Sequence, residues 1–243
     1  GIYTMLTERD RYPAFRIPTV CIPASIDNNL PGSELSIGTD TALNVIVEAM
    51  DKIKESGIAS RRCFVVETMG RDCGYLALMS GIAAGAERIY TNEDGISLDD
   101  LANDVHWLRE SFAHGRRLFL AVRNENASHN YTTDFIARLL EEESHGMYDV
   151  RQVVLGHMQQ GGSPSPFDRL LANRLGYRAL NLIDDELAAH QDGSWFIGVN
   201  ESGMRPCSMD TMPSLIDAAH RRPREQWWLQ LRTIARMVSD EVR

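Results

Sequence analysis

The nine residues Cys63-Phe64-Val65-Val66-Glu67-Thr68-Met69-Gly70-Arg71 carry the pattern that decides the fold. Cys63 to Glu67 is an apolar, β-branched run of strand length; a Gly-containing turn follows, and then a helical pattern from about Gly74 to Ala84. The same alternation extends in both directions. Strand-like runs stand at Ile17 to Ile22, Leu118 to Val122, Val153 to Leu155 and Phe196 to Val199, with a weaker one at Arg88 to Tyr90. Helical patterns fill the intervals. The clearest runs from Asp40 to Glu55, where Ala42, Leu43, Val45, Ile46, Ala49, Met50 and Ile53 recur at helical spacing and Gly57 is the expected stop. Others cover Leu98 to Phe112, Thr133 to Glu143, Phe167 to Ile183 and Pro223 to Val238. Strand and helix in alternation predict an α/β fold, a largely parallel sheet flanked by helices. The stretch 184–213, rich in Gly, Pro, Asp and Ser, is the least regular and marks a candidate boundary.

The chain has 243 residues, 43% hydrophobic and 24% charged, enough apolar material for a substantial core. Twenty-five Lys and Arg against 34 Asp and Glu give a net charge of -9, which argues against nucleic acid as a partner. No apolar run of transmembrane length and no signal-peptide pattern occurs, so no membrane partner is expected and a cytoplasmic setting is. Cys21, Cys63, Cys73 and Cys207 lack paired spacing, and are expected to be buried thiols without disulfides or zinc. Gly1-Ile2-Tyr3-Thr4-Met5 reads as mid-helix sequence without an initiating Met, and a fragment is the expectation.

In open α/β sheets ligands bind beyond the carboxyl ends of the strands. Here those ends are unusually polar. After the first run come Ser25, Asp27, Asn28 and Asn29; after the second, Met69, Gly70 and Arg71; after the third, Glu125; after Leu155, His157 and Gln160. Singly, each has an ordinary structural explanation: Asx turns for Asp27 and Asn29, solvated loops for Glu125 and His157. Together at one edge they describe a site for a small polar ligand. Arg62 and Arg151 do not fit that edge. Each lies at the start of its strand, and seven residues at about 3.3 Å put Arg62 roughly 20 Å from Met69. They either cap the opposite edge in salt bridges or serve the site of a neighbouring subunit.

The segments SIDNNLPGSELSIGTDTALN (25–44), FVVETMGRDCGYLALMSGIAAGAE (64–87), RNENASHNYTTDFI (123–136), LGHMQQGGSPSPFDR (155–169) and EQWWLQLR (225–232) resemble the phosphofructokinase family over nearly the whole chain. Several look like the C-terminal half of the long eukaryotic-type enzymes. The resemblance implies Rossmann-like layers and phosphoryl transfer from ATP to the C1 hydroxyl of fructose 6-phosphate, with residues 1–243 forming the sugar-phosphate portion of a phosphofructokinase-type domain. Asp27 matches the catalytic base and Arg71 the arginine near the transferred phosphoryl. Ser25, Asn28, Asn29, Met69, Gly70, Glu125, His157 and Gln160 match positions at the sugar phosphate. Arg62 and Arg151 match arginines contributed across a subunit interface to the 6-phosphate, which implies a homo-oligomer, a tetramer in this family. Arg221 resembles a further phosphate-binding arginine of the long enzymes. Glu87, His114, Arg116 and Arg117 match a nucleotide-effector position of short bacterial enzymes.

The sequence departs from the pattern in three ways. The Gly-rich nucleotide loop and its magnesium-holding aspartate would lie upstream of Gly1, so the main ATP and Mg2+ sites are expected outside this chain, with no metal site within it. Asn29 replaces a second aspartate, and Gln160 stands where catalytic halves carry arginine. Asp27 and Arg71 thus read as catalytic, whereas Asn29 and Gln160 read as a regulatory half whose pocket binds fructose 2,6-bisphosphate as an activator. Ala24, where pyrophosphate-dependent relatives tend to carry lysine, favours ATP as donor.

Overall fold

The structure, a computed structural model, describes residues 2–57 and 60–240. The strands are β1 (Thr19–Cys21), β2 (Arg62–Thr68), β3 (Arg88–Tyr90), β4 (Leu118–Asn124), β5 (Asp149–Val154), β6 (Ser194–Asn200), β7 (Gly203–Ser208), β8 (Ile216–Asp217) and β9 (Arg222–Pro223). The helices are α1 (Ile2–Thr7), α2 (Thr39–Gly57), α3 (Tyr75–Ala84), α4 (Leu98–Ala113), α5 (Thr133–Glu142), α6 (Pro166–Ala188), α7 (Met212–Leu215) and α8 (Arg232–Asp240). They form two compact units, one of Gly1–Asp40 with Pro164–Gln226, the other of Thr41–Ser163 with Trp227–Arg243.

The second unit is built on a four-stranded sheet of order β3-β4-β2-β5, parallel throughout. The central strands β2 and β4 are buried on both faces, which is why they read as continuous apolar runs rather than as alternating ones. On one face Cys63, Val65, Phe119 and Ala121 pack with Leu101, Leu108 and Phe112 of α4 and Ile136 and Leu140 of α5. Each fully buried large side chain there contributes about 1.5–3 kcal/mol. α4 starts at a capping box, Ser97 accepting from the Asp100 amide while Asp100 accepts from the Ser97 amide; such caps are worth about 1 kcal/mol. α3 ends at Gly85 in the left-handed conformation.

In the first unit β1 pairs parallel with β6, and β6 antiparallel with β7. Leu171 and Leu175 of α6 pack on Ile197, with Val20, Ile37 and Val199 around them. Ser165 caps α6 by accepting from the Asp168 amide, and Pro166 occupies the first turn, where its missing N–H is no loss.

The expected α/β class with largely parallel strands is what the structure has. Three readings are corrected. The predicted helix from Pro223 does not start there: Arg222–Pro223 forms β9 against β8, and the Arg224 amide donates to Leu215 O. The chain then makes a 3-10 turn at Trp227–Leu231 before α8. α6 continues five residues beyond Ile183, because Glu186 faces inward and accepts from the Gly193 amide and Trp195 Nε1. Within 184–213 the strand expected at Phe196 to Val199 is β6, and it pairs in a hairpin with β7, which the Gly- and Pro-containing sequence conceals. Ile2–Thr7 is helical, as its sequence suggests; Gly1 lies outside the described residues. Of the cysteines, Cys63 and Cys73 are buried, whereas Cys21 and Cys207 are only half-buried. Burial pushes the Cys63 thiol well above its ordinary value. Among the described residues no helix is long and apolar enough to cross a membrane.

Candidate active site

In the four-stranded unit, the parallel arrangement sends the loops after β2, β4 and β5 to one edge. There the chain ties them to each other. Glu125 Oε1 accepts from the amides of Gly70 (3.1 Å) and Arg71 (2.7 Å), while the Glu125 amide donates to Thr68 O. Asn124, wholly buried, extends Nδ2 towards the carbonyls of Met69 and Cys73, both at 3.4 Å. Asn126 Nδ2 donates to Asp72 Oδ1 at 2.9 Å. The turn 69–73 is therefore gripped through its amides, its carbonyls and a side chain by three consecutive residues of another strand end.

That grip sets the backbone. Gly70 has φ +131, and a Cβ there would collide with Cys73 O and lie 2.9 Å from Asn124 Nδ2, so only glycine fits. Arg71 follows at φ 52, an unfavourable left-handed conformation, and its residue is exposed. The turn thereby fixes the direction in which the Arg71 side chain leaves the backbone.

The loop after β5 joins the same edge. Gly156–Gln160 makes a 3-10 turn, and buried Gln159 links it to β2: Oε1 accepts from the Met69 amide at 3.3 Å and Nε2 donates to Gly156 O at 2.9 Å. His157 and Gln160 are exposed on this turn. Thus Met69, Gly70, Arg71, Glu125, His157 and Gln160 lie at one strand-end edge. Arg62 and Arg151 do not. Arg62 is the first residue of β2, and Arg151, opposite Phe64 on the neighbouring parallel strand, is near the start of β5. Arg151 stands third in its strand rather than first, since β5 begins at Asp149. Neither makes a close ion pair among the described residues: half-buried Arg62 reaches Ser56 O with Nη1 at 3.4 Å, and exposed Arg151 lies 3.8 Å from Asp149 through Nη2 while Nη1 donates to Val150 O at 2.8 Å.

Beneath the edge sits a buried charge. Arg123, 2% exposed, donates to Glu67 Oε2 (2.8 Å), Glu125 O (3.0 Å), Thr133 Oγ1 (3.3 Å) and Ser128 O (2.6 Å). Burial lowers its pKa and the Glu67 carboxylate opposes that. Arg123, Asn124, Asn126 and Gln159 stand in the strand-end segments Arg123–Asn126 and Gly156–Gln160 of the sequence, which by itself assigns them no role. For Arg123 a signal exists: Glu67 and Arg123 are opposite charges closing two apolar runs, and they pair in register.

In the other unit, Ser25, Asp27, Asn28 and Asn29 occupy the loop after β1. Asp27 and Asn28 are buried, at 8% and 4% exposure. Ser25 Oγ donates to Asn29 Oδ1 (3.0 Å), and Asn28, at φ 52, donates Nδ2 to Glu34 O (2.7 Å). The loop is pinned to β6: the Glu34 amide donates to Val199 O, the Val199 amide donates to Ser33 Oγ, and a Cβ on Gly198 would collide with Gly32 O. Asn29 Nδ2 also reaches the carbonyl of Arg221 (3.4 Å), which has φ 51 at the end of the β8–β9 connection. Arg221 therefore belongs to the same loop cluster as Asp27.

The family model for phosphofructokinase matches residues 2–183. The chain belongs to the phosphofructokinase family. It is 41% identical to the platelet-type ATP-dependent 6-phosphofructokinase of Rattus norvegicus, with 98% of this chain and 32% of the relative covered. It is 42% identical to the muscle type of Homo sapiens over the same shares. The solved phosphofructokinase of Saccharomyces cerevisiae superposes with a TM-score of 0.93 at 35% identity, covering 98% of this chain and 33% of that one. The chain spans about a third of the length of the curated relatives it matches. A pyrophosphate-dependent phosphofructokinase from Marinobacter aquaeolei, at 17% identity and a TM-score of 0.69, shares the fold.

The four residues matched to the family's bacterial effector position fall into two kinds. Glu87 and Arg116 form an ion pair with both side chains 16% exposed, and Glu87 Oε2 also accepts from the Leu120 amide (2.7 Å). Burial raises the Glu87 pKa against these stabilising contacts. His114 and Arg117 are exposed, His114 Nδ1 lying 2.8 Å from Glu110 O. Arg116 is thus committed to tying the α4–β4 connection to β3.

Proposed function

We propose that this phosphofructokinase-family chain carries the sugar-phosphate and base portion of an ATP-dependent 6-phosphofructokinase, transferring the γ-phosphoryl of ATP to the C1 hydroxyl of fructose 6-phosphate. The reading rests on one observation above all: the clamped turn that holds Arg71 in a left-handed conformation at a strand-end edge also shared by Glu125 and His157. The 41–42% identity to proteins named ATP-dependent 6-phosphofructokinases supports ATP as donor.

Asp27 accepts the C1 hydroxyl proton and aligns the oxygen for attack. Arg71 stabilises charge on the transferred group. Ser25, Asn28 and Asn29 shape the loop around Asp27. Met69, Gly70 and the Glu125 carboxylate border the sugar, their own amides being engaged within the fold, and His157 and Gln160 lie toward its 6-phosphate. Arg62 and Arg151 complete that phosphate's binding from a neighbouring copy, bidentate arginine being suited to the task. The working form is a cytoplasmic homo-tetramer. Glu87, His114, Arg116 and Arg117 form a weaker effector position, with Arg116 already paired.

Among the described residues no three His, Cys, Asp or Glu side chains gather as metal ligands. Asp27 is a lone carboxylate among amides and a hydroxyl, a donor set that fits Mg2+ held chiefly by nucleotide phosphates and water. Mg2+ on the nucleotide would supply charge neutralisation for the transferred phosphoryl group, and no residue of this loop is assigned as its ligand, Asn29 Oδ1 already accepting from Ser25 Oγ.

A second reading, an activator site for fructose 2,6-bisphosphate in a non-catalytic half, is favoured by the exposed Gln160 and by Arg221, tethered to Asn29. A coupled assay of the intact protein with MgATP separates the two. Catalysis predicts fructose 1,6-bisphosphate formation that depends on this pocket. The activator reading predicts tight fructose 2,6-bisphosphate binding, with turnover that survives substitution at Asp27.

A further inference from the structure

The turn Gly156–Gln160 turns one side chain inward. His157, Met158 and Gln160 are exposed, whereas Gln159 is buried at 1% exposure. Its flanks are loose by composition: Gly156 opens the turn at φ 51, and Gly161 and Gly162 follow it. Gln159 is therefore the anchor of a turn whose other side chains face solvent.

An amide side chain buried so deeply is costly unless both its ends are bonded. Here they are. Oε1 accepts from the Met69 amide (3.3 Å) and Nε2 donates to Gly156 O (2.9 Å). These neighbours also settle which way the amide points, since a backbone N–H only donates and a carbonyl only accepts. One bond closes the turn on its own first residue, and the other crosses to the loop after β2. Met69 in turn gives its carbonyl to Asn124 Nδ2, at the end of β4 (3.4 Å). The backbone of Met69 is thus held from the ends of two different strands, β4 and β5.

We propose that Gln159 is a positioning residue, which fixes the distance between the turn carrying His157 and the turn Met69–Arg71 and so sets the fit of a phosphorylated ketose. The inference rests on the sugar-phosphate reading of this edge. In that reading His157 and Gln160 lie toward the 6-phosphate while Met69 and Gly70 border the sugar, so a single ligand must reach both turns at once. Gln159 touches no ligand. By holding the two turns at a set span before the ligand arrives, it spares binding the cost of ordering them. The benefit is equal in the ground state and the transition state, so it falls on KM and leaves kcat alone.

Calorimetry and steady-state kinetics of the intact protein test the proposal, with far-UV spectra and thermal unfolding confirming that each variant is folded. Gln159→Met and Gln159→Leu keep the bulk and lose both bonds. Each is expected to raise Kd and KM for fructose 6-phosphate about tenfold, with kcat and the KM for MgATP within about threefold of wild type. His157→Ala is expected to weaken fructose 6-phosphate about tenfold by itself, but by less than about threefold in the Gln159→Met background, because residues acting through one turn do not add. Variants at Gln159 that bind fructose 6-phosphate within about twofold of wild type overturn the proposal, as do additive losses in the double variant or an equal loss for MgATP. Failure of the catalytic reading shows separately, as turnover unchanged by Asp27→Asn. The same comparison is then made with fructose 2,6-bisphosphate, where a loss of about tenfold is again expected and its absence overturns the proposal.

Discussion

Asp27→Asn in the intact protein is expected to lower turnover of fructose 6-phosphate by about 10²- to 10⁴-fold, the usual contribution of a positioned general base. The substitution is nearly isosteric, and it removes the proton acceptor rather than the shape. The loop does not rely on the Asp27 carboxylate alone for its conformation. Ser25 bonds to Asn29, Asn28 to Glu34 O, and the Glu34 and Val199 amides fasten the loop to β6. KM for the sugar phosphate should therefore change by less than about threefold while kcat falls, the signature of an interaction made in the transition state. Steady-state kinetics with calorimetric titration of fructose 6-phosphate read both quantities. Unchanged kcat would remove Asp27 from the reaction.

Arg123→Met is expected to cost about 3–5 kcal/mol of stability, the range for breaking a buried ion pair by removing one partner. The methionine fills much of the volume but takes from the Glu67 carboxylate its charged partner, leaving it the Thr133 hydroxyl, and removes the Arg123 donor from the carbonyls of Glu125 and Ser128. The loss is local before it is global. Arg123 holds the backbone of the segment that clamps the turn at Gly70 and Arg71, so activity should fall at temperatures where the variant is still folded. Arg123→Lys keeps the charge and loses the fork, and should recover less than half of the stability. Urea unfolding of the three proteins provides the comparison; a loss below about 1 kcal/mol for Arg123→Met would mean that the cluster is readily resolvated.

The strands legible in the sequence were those buried on both faces. β2 and β4 lie at the sheet centre, and their apolar runs gave boundaries within a residue or two. β5 is an edge strand with mostly exposed side chains, so its first residues, Asp149 to Gln152, carried no apolar signal and Arg151 was placed at its start. β7 is also an edge strand, hidden by Gly203 and Pro206. The end of α6 was misread because Asp184 and Asp185 interrupt the pattern, whereas the inward residue that continues the helix is a buried glutamate. The chain's path after Pro223 follows the β8–β9 hairpin, closed by the bond from the Arg224 amide to Leu215 O nine residues back, which no helical or strand periodicity records.

The site divides in the same way. Residues at strand ends were identifiable because the topology alone sends those ends to one edge. Their supports were not: Asn124 and Gln159 act through contacts with a turn 51 to 90 residues away in sequence, and an amide in a loop has no distinctive pattern. Glu125 was expected to accept from sugar hydroxyls, and the structure gives it a prior task, since one carboxylate oxygen already holds two amides of the turn. Arg116 and Glu87, both matched to an effector position, pair with each other in the structure.

The position of fructose 6-phosphate bound to the assembled protein, seen by crystallography or cryo-electron microscopy, is the most direct measurement of all. The account predicts the 6-phosphate between His157 of one copy and Arg62 and Arg151 of a neighbour, with Glu125 on the sugar hydroxyls and C1 directed at Asp27. A sugar phosphate bound without any arginine from another copy, or with C1 turned away from Asp27, would contradict it.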